Sequence, residues 1–210
     1  MRKLVVSILT SLDGYVAGPG GDVMAMPLDA SFSAYNLERL RTADTLVLGR
    51  TTFLGFRSYW PPVADDPEQT AVDREISRRN TAASKVVISD SLSPDDVEGY
   101  GHSQLVRRDA AHDAVRRLKA QEGADLLVFG SVPVYNDLLA AGLVDELHVM
   151  IGNGVLGGGV PAFTQRLPER LRLRDVRRLE GSDTVLLVYA ASRSHDPRGG
   201  TAPDRLPSRG

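Results

Sequence analysis

No cysteine occurs in the 210 residues. That absence excludes disulfides, thiolate metal sites and cysteine nucleophiles, and it leaves the redox compartment unassigned. Aromatic residues are few, at 6% with a single tryptophan, and no apolar run is long enough to span a bilayer. Met1-Arg2-Lys3 followed by Leu4 to Leu9 has the outline of a short export signal. Ser7, Thr10, Ser11 and Asp13 interrupt it before an apolar core with a cleavage site could form. There is no long basic block and the formal net charge is −2, so neither a nucleic-acid groove nor an anionic-membrane patch is expected. A cytoplasmic protein with no nucleic-acid and no membrane partner is the expectation. His102, His112, His148 and His195 share no ligand-like spacing, so no metal site is expected. Walker loops and serine nucleophile elbows are missing too, and nothing points to hydrolysis.

What is present is ordinary globular material, with 42% apolar and 25% charged residues. The length suffices for a substantial core. Lys3 to Thr10 reads as a buried first strand, ended by Ser11-Leu12-Asp13-Gly14, and Gly18-Pro19-Gly20-Gly21 marks a loop. Ser31 to Arg41 has near-helical apolar spacing and leads into a strand over Thr45 to Leu48. A short helix over Phe53 to Tyr59 is broken by Trp60-Pro61-Pro62, and a second helix covers Glu68 to Asn80. Strands follow at Lys85 to Ser89, Gln104 to Val106, Asp125 to Phe129 and Val144 to Ile151, with helices over Ala110 to Gln121 and Val132 to Ala141. Leu171 to Leu179 and Thr184 to Ala190 form a closing hairpin. The fold class is therefore α/β: a mostly parallel central sheet with an antiparallel C-terminal hairpin and helices on both faces. One domain over 1–191 is expected. From Ser192 the chain turns to proline, glycine and charge, so 192–210 is expected to be a disordered or extended tail.

The stretch Thr45 to Phe53 organises the rest. A buried strand stops at Gly49 and turns directly into a helix, with Thr51 and Thr52 placed to cap it. A helix N-terminus favours an anion, and Arg50 adds the planar donor fork that suits a phosphate. The competing reading is an ordinary strand-to-helix turn with a solvated arginine. Phe129-Gly130-Ser131-Val132-Pro133 repeats the arrangement, with proline in the first helical turn. Two such junctions describe a ligand with phosphates at two places, as in a dinucleotide. Gly152, Gly154 and Gly157 spell a literal G-x-G-x-x-G, but no amphipathic helix follows, so the Rossmann reading is rejected. That loop either approaches a ligand closely or is merely flexible. Asp13, at a strand end beside Gly14, either serves a polar substrate or a proton relay, or makes a local turn.

In this order, Ser11-Leu12-Asp13-Gly14, Leu48-Gly49-Arg50-Thr51-Thr52-Phe53, Phe129-Gly130-Ser131 and Val155 through Phe163 resemble the dihydrofolate reductase-like superfamily. The branch is that of the C-terminal reductase domain of the riboflavin-biosynthesis deaminase-reductase and its stand-alone relatives. The resemblance implies a three-layer dihydrofolate reductase-like fold and an NADPH-dependent reductase of a small heterocyclic or carbonyl substrate, working as a homodimer. It assigns Gly49, Arg50, Thr51 and Thr52 to the adenosine-side phosphates, with Arg50 near the 2′-phosphate, and Ser89 to the adenine ribose. Gly130, Ser131 and Val132 fall under the pyrophosphate and nicotinamide, and Tyr135 lies in the helix behind them. Asp13 takes a catalytic and substrate-side place, with Tyr15 lining the pocket. Ser33 stands where classical dihydrofolate reductases carry a helix acid, which argues against dihydrofolate as substrate. Asn153-Gly154 replaces a proline and an apolar residue common in relatives. No zinc-ligand deaminase region precedes the reductase stretch, so a bifunctional riboflavin enzyme is not expected. A nucleotide-binding or regulatory protein with reduced catalysis is the alternative, and an interaction module the third reading.

Overall fold

Uninterrupted runs of Val, Leu and Ile require cover on both faces of a sheet, and the chain supplies it. A computed structural model describes residues 1–167 and 171–191; the tail expected over 192–210 lies outside the described residues. The strands are β1 (Leu4–Thr10), β2 (Tyr15–Ala17), β3 (Ala43–Gly49), β4 (Ser84–Ile88), β5 (Ser103–Val106), β6 (Asp125–Phe129), β7 (Glu146–Ile151), β8 (Val160–Pro161), β9 (Arg172–Arg178) and β10 (Val185–Ala190). The α-helices are α1 (Ala30–Thr42), α2 (Arg50–Val63), α3 (Ala71–Ala82), α4 (Ala111–Ala120) and α5 (Val132–Ala140). The main sheet has the order β5-β4-β3-β6-β1-β7-β10-β9. Its pairings are parallel from β5 through β7, and β10 and β9 close it antiparallel. This is the expected mostly parallel sheet with its hairpin.

Alternation along β1 sorts the core. Leu4, Val6 and Ile8 pack with Leu126 and Val128 under Val115 of α4 and Leu138 of α5. Val5, on the opposite face, packs with Leu127, Phe129, Leu46 and Leu48 under Leu37 of α1, Phe53 of α2 and Ile76 of α3. Helices therefore cover both faces, which makes three layers. A third cluster, with Leu9, Met150, Tyr35 and Leu186, carries the α1 side of the core toward the hairpin.

Several boundaries differ from the sequence reading. α2 runs through Pro61 and Pro62 to Val63, although these prolines were expected to break it. They sit in the last turn, and the carbonyls that lose donors belong to Arg57 and Ser58, which are open to solvent. α3 starts later than expected because Thr70 caps it, its hydroxyl oxygen accepting from the Asp73 N–H at 3.0 Å. β7 begins at Glu146 and not Val144; just before it, the Asp145 N–H donates to the Leu4 carbonyl and the Asp145 carboxylate accepts from the Leu4 N–H. β2 and β8 form a second, two-stranded antiparallel sheet, too short to leave a periodic signal.

One buried group sets a pH dependence. The Lys85 side chain enters the core at the start of β4, only 1% exposed. Its Nζ donates to the Thr81 and Ala83 carbonyls at 2.9 and 2.8 Å and lies 4.1 Å from the Tyr100 ring centroid. Burial pushes its pKa down to about 8. The unfolded chain therefore binds more protons than the folded one between about pH 8 and the ordinary lysine value, and Lys85 makes stability rise with pH across that window. Denaturant titrations should show the stability difference between wild type and Lys85→Met moving in favour of wild type by roughly 1 to 2 kcal/mol from pH 8 to 9.5. A flat difference would show that the ammonium is better solvated than the structure indicates.

Candidate functional site

Parallel strands deliver their carboxyl ends to one edge, where open α/β sheets bind ligands. The strand order sets the ends of β3, β6, β1 and β7 side by side. Gly49, Gly130, Ser11 and Gly152 therefore follow one another along that edge, and the two junctions singled out in the sequence become neighbours.

Those junctions are interlocked. The Gly49 N–H donates to Ser131 Oγ at 2.9 Å, and the Ser131 N–H donates to Thr52 Oγ1 at 3.1 Å. A Cβ on Gly49 would stand 3.2 Å from Val134 Cγ2. Gly130, at φ 51°, would bring a Cβ 3.2 Å from Thr52 Oγ1. Both glycines are thus required by the fit of one turn against the other. Ser131 is itself left-handed, at φ 56° and ψ 49°, a conformation a non-glycine residue adopts only when its surroundings hold it there.

Thr51 and Thr52 were expected to cap α2, and neither does. The helix already starts at Arg50 with Gly49 as its N-cap, so both hydroxyls lie past the capping position and Thr52 serves the neighbouring turn. Ser131 likewise makes no side-chain bond to its own helix, because its oxygen accepts from Gly49. Two helices of full length consequently present uncapped first turns at one edge. Arg50 is exposed beside them and forms no hydrogen bond or ion pair among the described residues. Val132 opens α5, with Pro133 behind it.

Other expected site residues are turned inward. Ser89 follows β4, is 3% exposed, and its hydroxyl oxygen accepts from the Ser91 and Leu92 N–H groups, each at 3.2 Å. Tyr135 is fully buried, and its hydroxyl donates to the Ala162 carbonyl; burial pushes its pKa well up. It braces the segment behind the edge and does not face it.

The first loop and the glycine-rich loop form a single unit. Asp13 accepts from Ser11 Oγ at 2.6 Å and from the Leu156 and Gly157 N–H groups at 3.1 and 2.7 Å. The Ser11 hydroxyl, with help from those amides, holds its carboxyl below the ordinary range. Leu12 N–H donates to the Gly154 carbonyl at 2.8 Å, and Ala162 N–H to that of Gly14 at 2.9 Å. Tyr15 pairs with Pro161 between β2 and β8. A Cβ at Gly159 would lie 2.1 Å from the Ala17 carbonyl oxygen, and one at Gly152 would lie 2.3 Å from Pro27 Cγ. The close approach anticipated for this glycine loop is therefore an approach to the chain's own backbone and to Pro27. Sequence reasoning missed Pro27, because a proline in an irregular loop carries no mark of the glycine it will meet. It also gave no role to His148, which is 2% exposed and joins Tyr35 OH at 2.7 Å to Glu146 at 3.1 Å beneath α1.

Asp13→Asn should leave the fold intact and accelerate amide exchange at Leu156 and Gly157, read by hydrogen–deuterium exchange. In wild type the same protection should hold at neutral pH and fade as pH falls through the lowered Asp13 pKa. Unchanged exchange in the variant would show that the backbone pairing of β2 with β8 holds the loop unaided.

Comparison with known proteins agrees with this architecture. The chain is 27% identical over 191 residues to the uncharacterized protein YyaP of Bacillus subtilis, covering 90% of this chain and 94% of that one. It superposes with a TM-score of 0.63 and 13% identity on a diaminohydroxyphosphoribosylaminopyrimidine deaminase/5-amino-6-(5-phosphoribosylamino)uracil reductase of Thermotoga maritima, covering 90% of this chain and 56% of that one. On a dihydrofolate reductase of Enterococcus faecalis complexed with NADP(H), the TM-score is 0.52 at 15% identity, covering 90% of this chain and 95% of that one. The model of the RibD C-terminal domain matches residues 2–187, and with that match, on a sheet of this order, the chain belongs to the RibD C-terminal domain family.

Proposed function

We propose that this protein is an oxidoreductase that uses NADPH to reduce a small heterocyclic or carbonyl substrate at the carboxyl edge of the sheet. The observation that carries the reading is the interlocked pair of uncapped helix N-termini, with an exposed arginine beside them. An uncapped helix start offers backbone N–H groups and a positive dipole end to an anion. Two of them side by side, the start of α2 at Arg50 and the start of α5 at Val132, suit a coenzyme with phosphates at separate places. The donor set thus fits NADPH, and the fold is shared with the Enterococcus reductase that holds NADP(H).

In this reading α2 and Arg50 hold the 2′-phosphate end, and α5 holds the pyrophosphate. When bound, the reduced nicotinamide supplies a hydride, and the acceptor takes up one proton to complete the reduction. The protein aligns the reactants and limits water. Ser89 and Tyr135 support the cradle from behind, Ser89 by closing the turn after β4 and Tyr135 by anchoring Ala162. Asp13 is exposed and ionised at neutral pH, with its oxygens committed to Ser11, Leu156 and Gly157. It therefore positions the loop that borders the substrate, with Tyr15 next to it, and is a poor proton donor. A homodimer in the cytoplasm belongs to the same reading.

One observation favours a second reading. Ser33 is half-buried on α1 where classical dihydrofolate reductases carry an acid, and a serine cannot protonate a substrate as a carboxylic acid does. A protein that binds NADPH with reduced catalysis would look the same. Consumption of NADPH with a substrate panel separates the two.

Calorimetric titration of Arg50→Ala tests the cradle. NADPH affinity should fall about tenfold, the worth of one charge-assisted contact, while NADH affinity stays within about twofold. Equal losses for both coenzymes, or none, would overturn the assignment of Arg50 to the 2′-phosphate.

A further inference from the structure

Charge is divided along the carboxyl edge. Arg50 stands at the end of β3. At the ends of β1 and β7 the walls are of another kind: from Leu4 through Glu38, and again from Gly152 through Phe163, the chain contains no Lys, Arg or His. The charged residues among the loops there are Asp13, Asp22 and Asp29. Asp22 accepts from the Met24 N–H at 2.9 Å, and Asp29 accepts from the Phe32 N–H at 3.0 Å. Each carboxylate thus accepts from a backbone amide, as Asp13 does. On the adjoining hairpin, Arg178 spends its guanidinium on the Ser182 carbonyl and the Asp183 carboxylate, at 2.5 and 2.7 Å.

Apolar side chains stand out on the same three loops. Leu12, Val155 and Met24 are 62%, 69% and 76% exposed, and Val23 and Leu28 are also open to solvent. The loops are joined: Leu12 bonds to Gly154, Pro27 covers Gly152, and Met26 packs with Leu9 and Met150. Continuous with the candidate coenzyme cradle, they make one rim that is apolar and acidic. Phosphate recognition uses arginine, lysine or uncapped helix starts. In the described residues this rim provides none: α1, the helix that opens onto it, is capped by Asp29.

We infer that the substrate is neutral or cationic, presents apolar surface to this rim, and carries no phosphate. This rests on the coenzyme reading above. It separates the chain from its structural neighbour of Thermotoga maritima, whose name specifies a phosphoribosyl substrate. Three carboxylates near a phosphate dianion repel it, while solvent-exposed Leu, Val and Met gain by covering an apolar group.

The test uses one ring in three charge states: 4-isopropylbenzaldehyde, the 4-trimethylammonio cation and the 4-phosphate ester. Binding is read by saturation-transfer NMR on the full chain saturated with NADP+, so that the phosphate ester cannot occupy the coenzyme cradle. The neutral and cationic members should bind at least tenfold tighter than the ester. The double variant Met24→Lys with Val155→Lys, both at exposed positions, should narrow that gap at least threefold. Binding of the ester equal to or tighter than that of the neutral aldehyde, no binding by any member, or no response to the double variant would overturn the inference. NADPH calorimetry on the same protein without NADP+ reports separately on the coenzyme: if NADPH binds and the ester is preferred, only the substrate inference fails.

Discussion

Two reciprocal hydrogen bonds fix the relation on which the edge depends, one from the Gly49 N–H to Ser131 Oγ and one from the Ser131 N–H to Thr52 Oγ1. Each turn satisfies a polar group of the other, so neither helix start can shift without stranding a donor. The lock also explains the backbone at Ser131. Left-handed geometry costs about 1 kcal/mol or more in a residue with a Cβ, and here it aims the hydroxyl at β3 instead of at α5. Because Ser131 is spent in this way, its own helix has no side-chain cap, and the Val132 N–H stays presented to the edge.

The neighbouring half of the edge is built on different terms. There the loops after β1 and β7 are held by a carboxylate receiving two backbone amides, and by glycines that leave no room for a Cβ against Pro27 and Ala17. A surface loop rich in glycine would ordinarily be expensive to order. The Asp13 contacts, the β2–β8 pairing and the Tyr135–Ala162 bond offset that cost from three directions. The result is a wall whose glycines are there for self-contact, while its exposed side chains are free to meet something else.

How far this was legible in the sequence follows from the scale of each signal. β1, β3, β4 and β6 could be read because a strand covered on both faces must be apolar at consecutive positions, and Gly49 and Gly130 marked their ends. The adjacency of those ends could be expected from a parallel sheet. The direction of the Ser131 hydroxyl could not, since it depends on two turns 82 residues apart. Pro61 and Pro62 misled because the cost of proline depends on whether the freed carbonyls reach water, which is a matter of exposure. Ser89 and Tyr135 were placed correctly along the chain, but the inward turn of their side chains is a tertiary outcome. β2 and β8 were invisible, being two or three residues each and held by a register that only the loops between them set.

The position of β1 has a consequence for how the molecule is made. It is synthesised before β6 and β7, its partners in the finished sheet, and Asp13 meets Gly157 across 144 residues. A central strand of seven residues must therefore wait, unpaired, until β6 and β7 have been made before its own hydrogen-bonding edges are occupied. Contacts of such long sequence separation slow folding and leave sticky backbone on show meanwhile. The carboxyl edge is thus completed only once β7 and the loop that follows it have been made.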